Sequence, residues 1–176
     1  MAIPFGTFIA LSTWTQALLE PAGISESAAG LMLVVNVVAG VAATAVIPVW
    51  AARRGRQFQV VGVAVVVTAA ACALLALFPG TITGFLAMSV IGMSLLPALP
   101  MVLEIVERRD PAVAGTAAGL VWMAGNLGGL VVASGIGLLL DHPSLAFLAL
   151  AAITLLALPL VVRGGFEPSS IPGPSR

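Results

Sequence analysis

Residues 58–78 read FQVVGVAVVVTAAACALLALF, a run that contains no Asp, Glu, Lys or Arg. A helix needs about 20 consecutive apolar residues to cross the hydrocarbon core of a bilayer, and this run has that length. A helix is also one of the few backbone forms that satisfy all their own hydrogen bonds inside lipid. The run therefore predicts a membrane-spanning α-helix.

Five further apolar runs flank this one, separated by short segments rich in Pro, Gly and polar residues. The six predicted spans cover residues 3–19, 28–50, 58–78, 82–103, 113–140 and 145–162. After them, residues 163–176 are rich in Pro and Ser, and we expect this tail to be disordered. The sequence thus predicts an all-α, polytopic membrane protein with one bundle over residues 1–162.

The composition supports the same class of protein. Hydrophobic residues make up 60% of the chain and charged residues only 8%, whereas a soluble domain has about 25% charged residues. Lipid is the partner that such a surface requires. A basic patch with interleaved aromatic residues is missing, which argues against nucleic-acid binding. Metal-ligand clusters and phosphate-binding glycine loops are also missing, so no cofactor is expected.

The seven basic residues are all arginine and predict the orientation in the membrane. They are Arg53, Arg54, Arg56, Arg108, Arg109, Arg163 and Arg176, which six spans place on one side together with the N-terminus. The loops on the other side hold Glu20, Glu26, Asp141 and His142. Short loops rich in arginine stay cytoplasmic. We therefore expect a cell (inner) membrane protein with both termini in the cytoplasm.

Two of the spans share a weak internal similarity. Span two reads Ala29-Gly30-Leu31 and then carries Asn36 and Gly40, and span five reads Ala118-Gly119-Leu120 and then carries Asn126 and Gly129. Because the two spans run in opposite directions, related triplets of spans would form a three-plus-three inverted repeat. The alternative is chance, since Ala, Gly and Leu are frequent in this chain.

Residues 48–57, PVWAARRGRQ, resemble the loop between the eighth and ninth helices of the major facilitator superfamily. Arg53, Gly55 and Arg56 match the family pattern. Ala52 stands where the family often has Asp, and Gln57 where it often has a base, so the loop lacks the usual acidic partner of its arginine. Glycine there permits a tight turn. The resemblance implies a gating role for the loop, and the alternative is a topology signal alone.

The order of other features extends this resemblance through Val162. Thr13-Trp14, then Pro21 and Gly23 in an outer loop, then Ala29-Gly30-Leu31 follow an order similar to the seventh and eighth helices of the family. The glycine-rich stretch from Ala114 is similar to the eleventh. The chain thus resembles the C-terminal six-helix half of a major facilitator superfamily transporter. This implies a half-bundle fold, transport of a small solute by alternating access, and an N-terminal half that is missing here.

Polar residues inside apolar runs are the candidates for solute binding, because an unpartnered polar group is costly in lipid. Thr13, Gln16 and Glu20 fall on one face of span one by their three- and four-residue spacing, and we expect this face to point to the bundle centre. Gln16 both donates and accepts hydrogen bonds, which suits a polar substrate. The alternative is bonding between helices, with Glu20 in the outer headgroup region rather than coupling to an ion.

Amides and an indole give three more candidates. Asn36 lies in span two and Asn126 in span five, where Trp122 and Gly129 share its face. Trp122 offers a flat surface on which a ligand could stack. The alternative for both asparagines is a hydrogen bond to a neighbouring helix.

Span four carries Pro97 and Pro100, followed by Glu104. Each proline removes a backbone hydrogen bond, so we expect a kink that lines a cavity or bends during alternating access. Glu104 is expected either to pair with Arg108 or to couple transport to protons. On span five, Gly115/Gly119 and Gly125/Gly129 have the spacing of close helix packing.

Enzyme activity is not expected. Ser134 is a candidate nucleophile, but the single histidine, His142, lies in a predicted outer loop, too far away to act as its base. With few intramembrane charges, a transported solute should be hydrophobic or weakly polar. Two alternatives stay open: a non-transporting remnant or interaction subunit, and a half-size transporter that works as a homodimer.

Overall fold

The computed structural model describes residues 2–109, 114–159 and 161, and this part of the chain is helical with short turns and no strand. The helices are α1 (Ala2–Leu19), α2 (Glu26–Arg53), α3 (Gln57–Leu77), α4 (Thr81–Leu95), α5 (Ala98–Arg109), α6 (Ala114–Gly137) and α7 (Pro143–Leu155), with a short 3-10 helix at Glu20–Ala22. The predicted all-α class is confirmed. The predicted disordered tail, residues 163–176, lies outside the described residues.

Within the described residues, four helical segments are long and apolar enough to cross a membrane. They are Glu26–Arg53, Gln57–Leu77, Thr81–Ile105, which joins α4 to most of α5, and Ala118–Gly137. Each overlaps one of the predicted spans. The first and last predicted spans, 3–19 and 145–162, overlap α1 and the 13-residue α7, which are not among these four. The structure is consistent with a membrane protein.

Local chemistry sets several of the helix ends. Gly23 has a φ of 76°, a left-handed conformation that favours glycine, and it ends the 3-10 helix. The Ser25 hydroxyl then accepts a 3.3 Å hydrogen bond from the backbone N–H of Ala28 at the start of α2. Such N-caps satisfy one of the free N–H groups of the first helical turn.

Helix α1 packs most extensively against α6, and glycines at the contact allow the two backbones to approach closely. A Cβ atom at Gly6 would lie 3.0 Å from the carbonyl oxygen of Gly128. Farther along, the Trp14 indole N–H donates a 2.7 Å hydrogen bond to the carbonyl of Ala133. Residue numbers rise together along both helices, so the pair is parallel.

Helix α2 packs in the same way against α4. A Cβ atom at Gly40 would lie 2.8 Å from the carbonyl oxygen of Gly92, and a Cβ at Gly92 would overlap the backbone carbonyl of Asn36. The Asn36 amide donates a 2.8 Å hydrogen bond to the carbonyl of Met88. This pair is also parallel, and its contact depends on two glycines and one buried amide.

Helices α3 and α7 complete the bundle: α7 packs mainly against α3, and α3 packs against both α7 and α4. Buried alanines of α3 and its Leu75 meet Phe147 and Leu150 of α7 in the main core, together with Cys72. The Thr154 and Thr7 hydroxyls share a 2.8 Å hydrogen bond that joins α7 to α1. In lipid, where the hydrophobic effect does little to bring helices together, such close contacts and polar links hold the bundle.

The Gly92 crossing gives a direct test of this packing. The backbone atoms of Asn36 cannot move aside as a flexible side chain would, so Gly92→Ala should lower the free energy of unfolding by about 1–3 kcal/mol. The control is Gly30→Ala on α2, because a Cβ there meets nothing within 4 Å. That change should be neutral or stabilising, since alanine favours helices over glycine by about 1 kcal/mol. Unfolding in mixed detergent micelles measures both, and equal stability of the two variants would contradict the packing described.

Candidate functional site

A cavity opens between α1, the α4–α5 junction and α6. The cavity is open on one side and has a volume of about 80 Å³. The lining residues are Pro4, Phe5, Phe8, Leu95, Leu96, Ala98, Leu99, Val121 and Trp122.

The interruption of the fourth predicted span forms one wall of this cavity. Residues 82–103 were expected to be one kinked helix, and the structure divides them into α4 and α5 at Leu96 and the buried Pro97. Proline has no N–H to continue the hydrogen-bond ladder. Pro100 lies in the first turn of α5, where a missing N–H costs little.

Two aromatic rings form the opposite wall. The Phe5 and Trp122 ring centroids are 5.5 Å apart, with their planes tilted by 53°. Phe5 reaches this position because it packs against Gly125, where a Cβ atom would lie 2.9 Å from its ring. Tilted aromatic pairs of this kind are mutually favourable. Trp122 is still 53% exposed, so part of its indole is available to a ligand.

The chemistry of the lining is apolar throughout. Aliphatic and aromatic side chains surround the space, and no side chain in the lining is titratable. An ion placed there would lose its hydration without a compensating partner, which costs several kcal/mol or more. An uncharged apolar or aromatic molecule would instead replace solvent against a ready surface.

The polar face of α1 lies differently from the expectation. Thr13, Gln16 and Glu20 are all exposed and point out of the described bundle, not towards its centre. Small and apolar residues such as Leu11 and Leu18 take the buried side of the helix instead, facing the packed core. Gln16 lies about three turns from Phe5, hence on the same face of α1 as one wall of the cavity.

The amides of α2 and α6 have different surroundings. Asn126 is exposed one turn beyond Trp122 and donates a 2.8 Å hydrogen bond to the Trp122 carbonyl. It therefore places an amide close to the cavity. Asn36 is only 2% exposed and is bonded to Met88, so the structure favours its alternative interpretation as a link between helices.

The arginine loop forms the tight turn that its glycine predicts. Gly55 has a φ of 61°, in the left-handed region. Its N–H donates to the Ala52 carbonyl at 3.2 Å, and the N–H of Arg56 donates to the Ala51 carbonyl at 3.0 Å. This pair of bonds is a Schellman motif, which ends α2. The Arg53 and Arg56 side chains are exposed.

The two carboxylate candidates lie apart from the cavity lining. Glu20 is exposed at the start of the 3-10 helix, and Glu104 is half-buried on α5. The side chain of Arg108, the expected partner of Glu104, lies outside the described residues. Of the two glycine pairs, Gly125/Gly129 packs against α1, whereas a Cβ at Gly115 or Gly119 would meet open space.

Sequence reasoning missed Phe5 and Phe8 as site residues. Phenylalanines near the end of an apolar run are equally typical of side chains that face lipid, so the sequence carried no distinguishing signal. The informative pattern was the pairing of bulky Phe5 with small Gly125, which only the helix contact makes visible.

Within the described ranges, no group of three or more His, Cys, Asp or Glu side chains is placed to hold a metal ion. No protein-family model matches the chain, and no curated protein matches it either. The cavity and its surroundings therefore carry the functional proposal.

Proposed function

We propose that the chain is a secondary transporter of the major facilitator type, or the C-terminal half of one. It would move a small hydrophobic or weakly polar solute by alternating access. The single observation that carries this proposal is the aromatic-walled, apolar cavity beside the interrupted span, with Trp122 as its exposed ring. Transporter sites commonly form where a membrane helix is discontinuous.

The finer architecture belongs to this proposal. We infer six spans, with α4 and α5 as one interrupted span, and α1 and α7 as the short first and last spans. Both termini would lie in the cytoplasm of a cell membrane. The helix pairing supports a three-plus-three inverted repeat. Exchange of the two triplets puts α4 in the place of α1 and α2 in the place of α6, so the α1–α6 pair becomes the α4–α2 pair.

The exposed polar face of α1 supports a further element of the proposal. Gln16 and Asn126 project from the bundle at positions where lipid contact would cost free energy. A solute pathway covered by another six-helix unit would give both side chains polar surroundings. That unit is either an N-terminal half of the same transporter or a second copy of this chain. A non-transporting interaction subunit would use the same face for assembly alone.

The cavity predicts how solute flux should respond to substitution. Nile red, an uncharged planar dye, should move faster across membranes that contain the native-length protein, whereas anionic carboxyfluorescein should not. Phe5→Ala should weaken the apparent affinity for Nile red by about two- to tenfold, the equivalent of one aromatic contact. Val121→Trp should block flux by filling the cavity.

The matched control for this measurement is Phe78→Ala, which removes an exposed phenylalanine at the end of α3, outside the cavity. Its flux should equal that of the unmodified protein at equal amounts in the membrane. Unchanged flux in both Phe5→Ala and Val121→Trp would show that the cavity does not carry the solute.

Apolar replacement of the exposed amides separates transport from assembly. Gln16→Leu and Asn126→Leu should each lower flux while the amount of protein in the membrane stays constant, because these amides would face the solute pathway. The measurement is flux normalised to the amount seen on a blot. If only that amount or the assembly state changes, the face serves association and the interaction-subunit alternative is favoured.

The length of the native gene product decides which unit covers the pathway. A tag on the chromosomal C-terminus and a blot of membranes give its mass. A band near twice the 17.7 kDa of this chain is expected for a fused N-terminal half. A band at 17.7 kDa plus the tag would exclude that fusion, and crosslinking of single introduced cysteines in a Cys72→Ala background would then test a homodimer.

A further inference from the structure

Three arginines and a tryptophan surround the end of α2. Arg53, Arg54 and Arg56 are all exposed. The Arg54 guanidinium lies 5.0 Å from the centroid of the Trp50 ring, a cation–π contact that restrains its position. Within about one helical turn the chain thus presents three permanent positive charges, one of them held against a flat ring.

Among the described residues, no helix carbonyl and no carboxylate is bonded to these three guanidinium groups. Two of the last carbonyls of α2, those of Ala51 and Ala52, accept hydrogen bonds from the backbone N–H groups of Arg56 and Gly55. Across the ranges that the structure describes, none of the three arginines forms an ion pair with a carboxylate. The guanidinium groups are therefore available to an anion from outside the bundle.

An apolar stripe leads directly to this cluster. Val46 and Val49 precede Arg53 by seven and four residues, so the three lie on one face of α2. Both valines are exposed, at 66% and 51%. Four residues, about 6 Å, separate Val49 from Arg53 along the helix axis. The headgroup layer on each side of a bilayer is about 5–8 Å thick, so this distance matches the step from acyl chain to phosphate.

We propose that this surface binds an anionic glycerophospholipid. The phosphate would be held by Arg53, Arg54 and Arg56, and an acyl chain would lie along Val46 and Val49. Trp50 would sit at the level of the interface, where its amphipathic ring is favoured. A zwitterionic headgroup fits less well, because it brings a cation to a cluster that offers no carboxylate. The proposal requires a membrane but not transport, so it stands or falls independently of the proposed function.

The test is lipid-dependent thermal stability of the full chain in neutral detergent. Phosphatidylglycerol should raise the melting temperature in a saturable way, whereas phosphatidylcholine should not. Free inorganic phosphate is a third arm, because it has the same anionic chemistry without an acyl chain. The triple variant R53Q/R54Q/R56Q should weaken the apparent affinity for phosphatidylglycerol at least tenfold. Replacement of one arginine alone should weaken that affinity about fivefold. Raising the salt concentration should weaken binding to the unmodified chain.

The matched control is Arg176→Gln against Arg53→Gln: both remove one positive charge, and Arg176 is far from the 53–56 segment in the sequence. Arg176→Gln should leave the affinity unchanged. If the triple glutamine variant does not fold, R53K/R54K/R56K takes its place. This variant keeps the positive charge but should bind phosphatidylglycerol more weakly than the unmodified chain, because lysine cannot form bidentate phosphate contacts. Equal stabilisation by the two lipids, or an affinity that the Arg53→Gln and lysine variants leave unchanged, would overturn the proposal. Saturation by inorganic phosphate alone would overturn its assignment to lipid.

Discussion

Backbone contact at the crossing of α2 and α4 is the interaction on which the rest of the bundle depends. Gly92 has no Cβ, so its helix lies directly against the carbonyl of Asn36, and Gly40 completes the contact. The α1–α6 crossing repeats the arrangement with Gly6 and Gly128. In lipid the hydrophobic effect contributes little between helices, and short-range packing with a few hydrogen bonds must supply the stability. Glycine permits both the close packing and the hydrogen bonds, because it lets the helix backbones approach each other.

These two crossings also determine where the cavity can form. They hold α1 against α6 and α4 against α2, while the span that contains α4 is interrupted at Pro97. Beside the interruption, the first turns of α5 and the start of α1 do not fill the space between them, and Phe5 and Trp122 border what remains. The apolar character of the site follows from its position between helices whose facing residues are selected for lipid and packing.

Local features could be predicted from the sequence, whereas the contacts between helices could not. The helix interruption at Pro97 and the turn at Gly55 depend on backbone chemistry that a single residue type reveals. Gly115/Gly119 and Gly125/Gly129 have identical spacing, yet only the second pair packs inside the bundle. The face of Gln16 was misjudged for a similar reason. Periodicity places side chains on a common face, but the neighbouring helices decide which way that face points.

The Pro97 interruption has a thermodynamic consequence. The cavity wall belongs to two helices, α4 and α5, whose relative tilt is not fixed by a continuous ladder of hydrogen bonds. Any solute that binds one tilt more tightly than another shifts the population of tilts. By reciprocity, a contact that restrains the far end of α5 changes the solute affinity by the same factor by which the solute changes the affinity of that contact. Occupancy of the cavity and the position of the segment around Glu104 are therefore both determined by the equilibrium between tilts of α4 and α5.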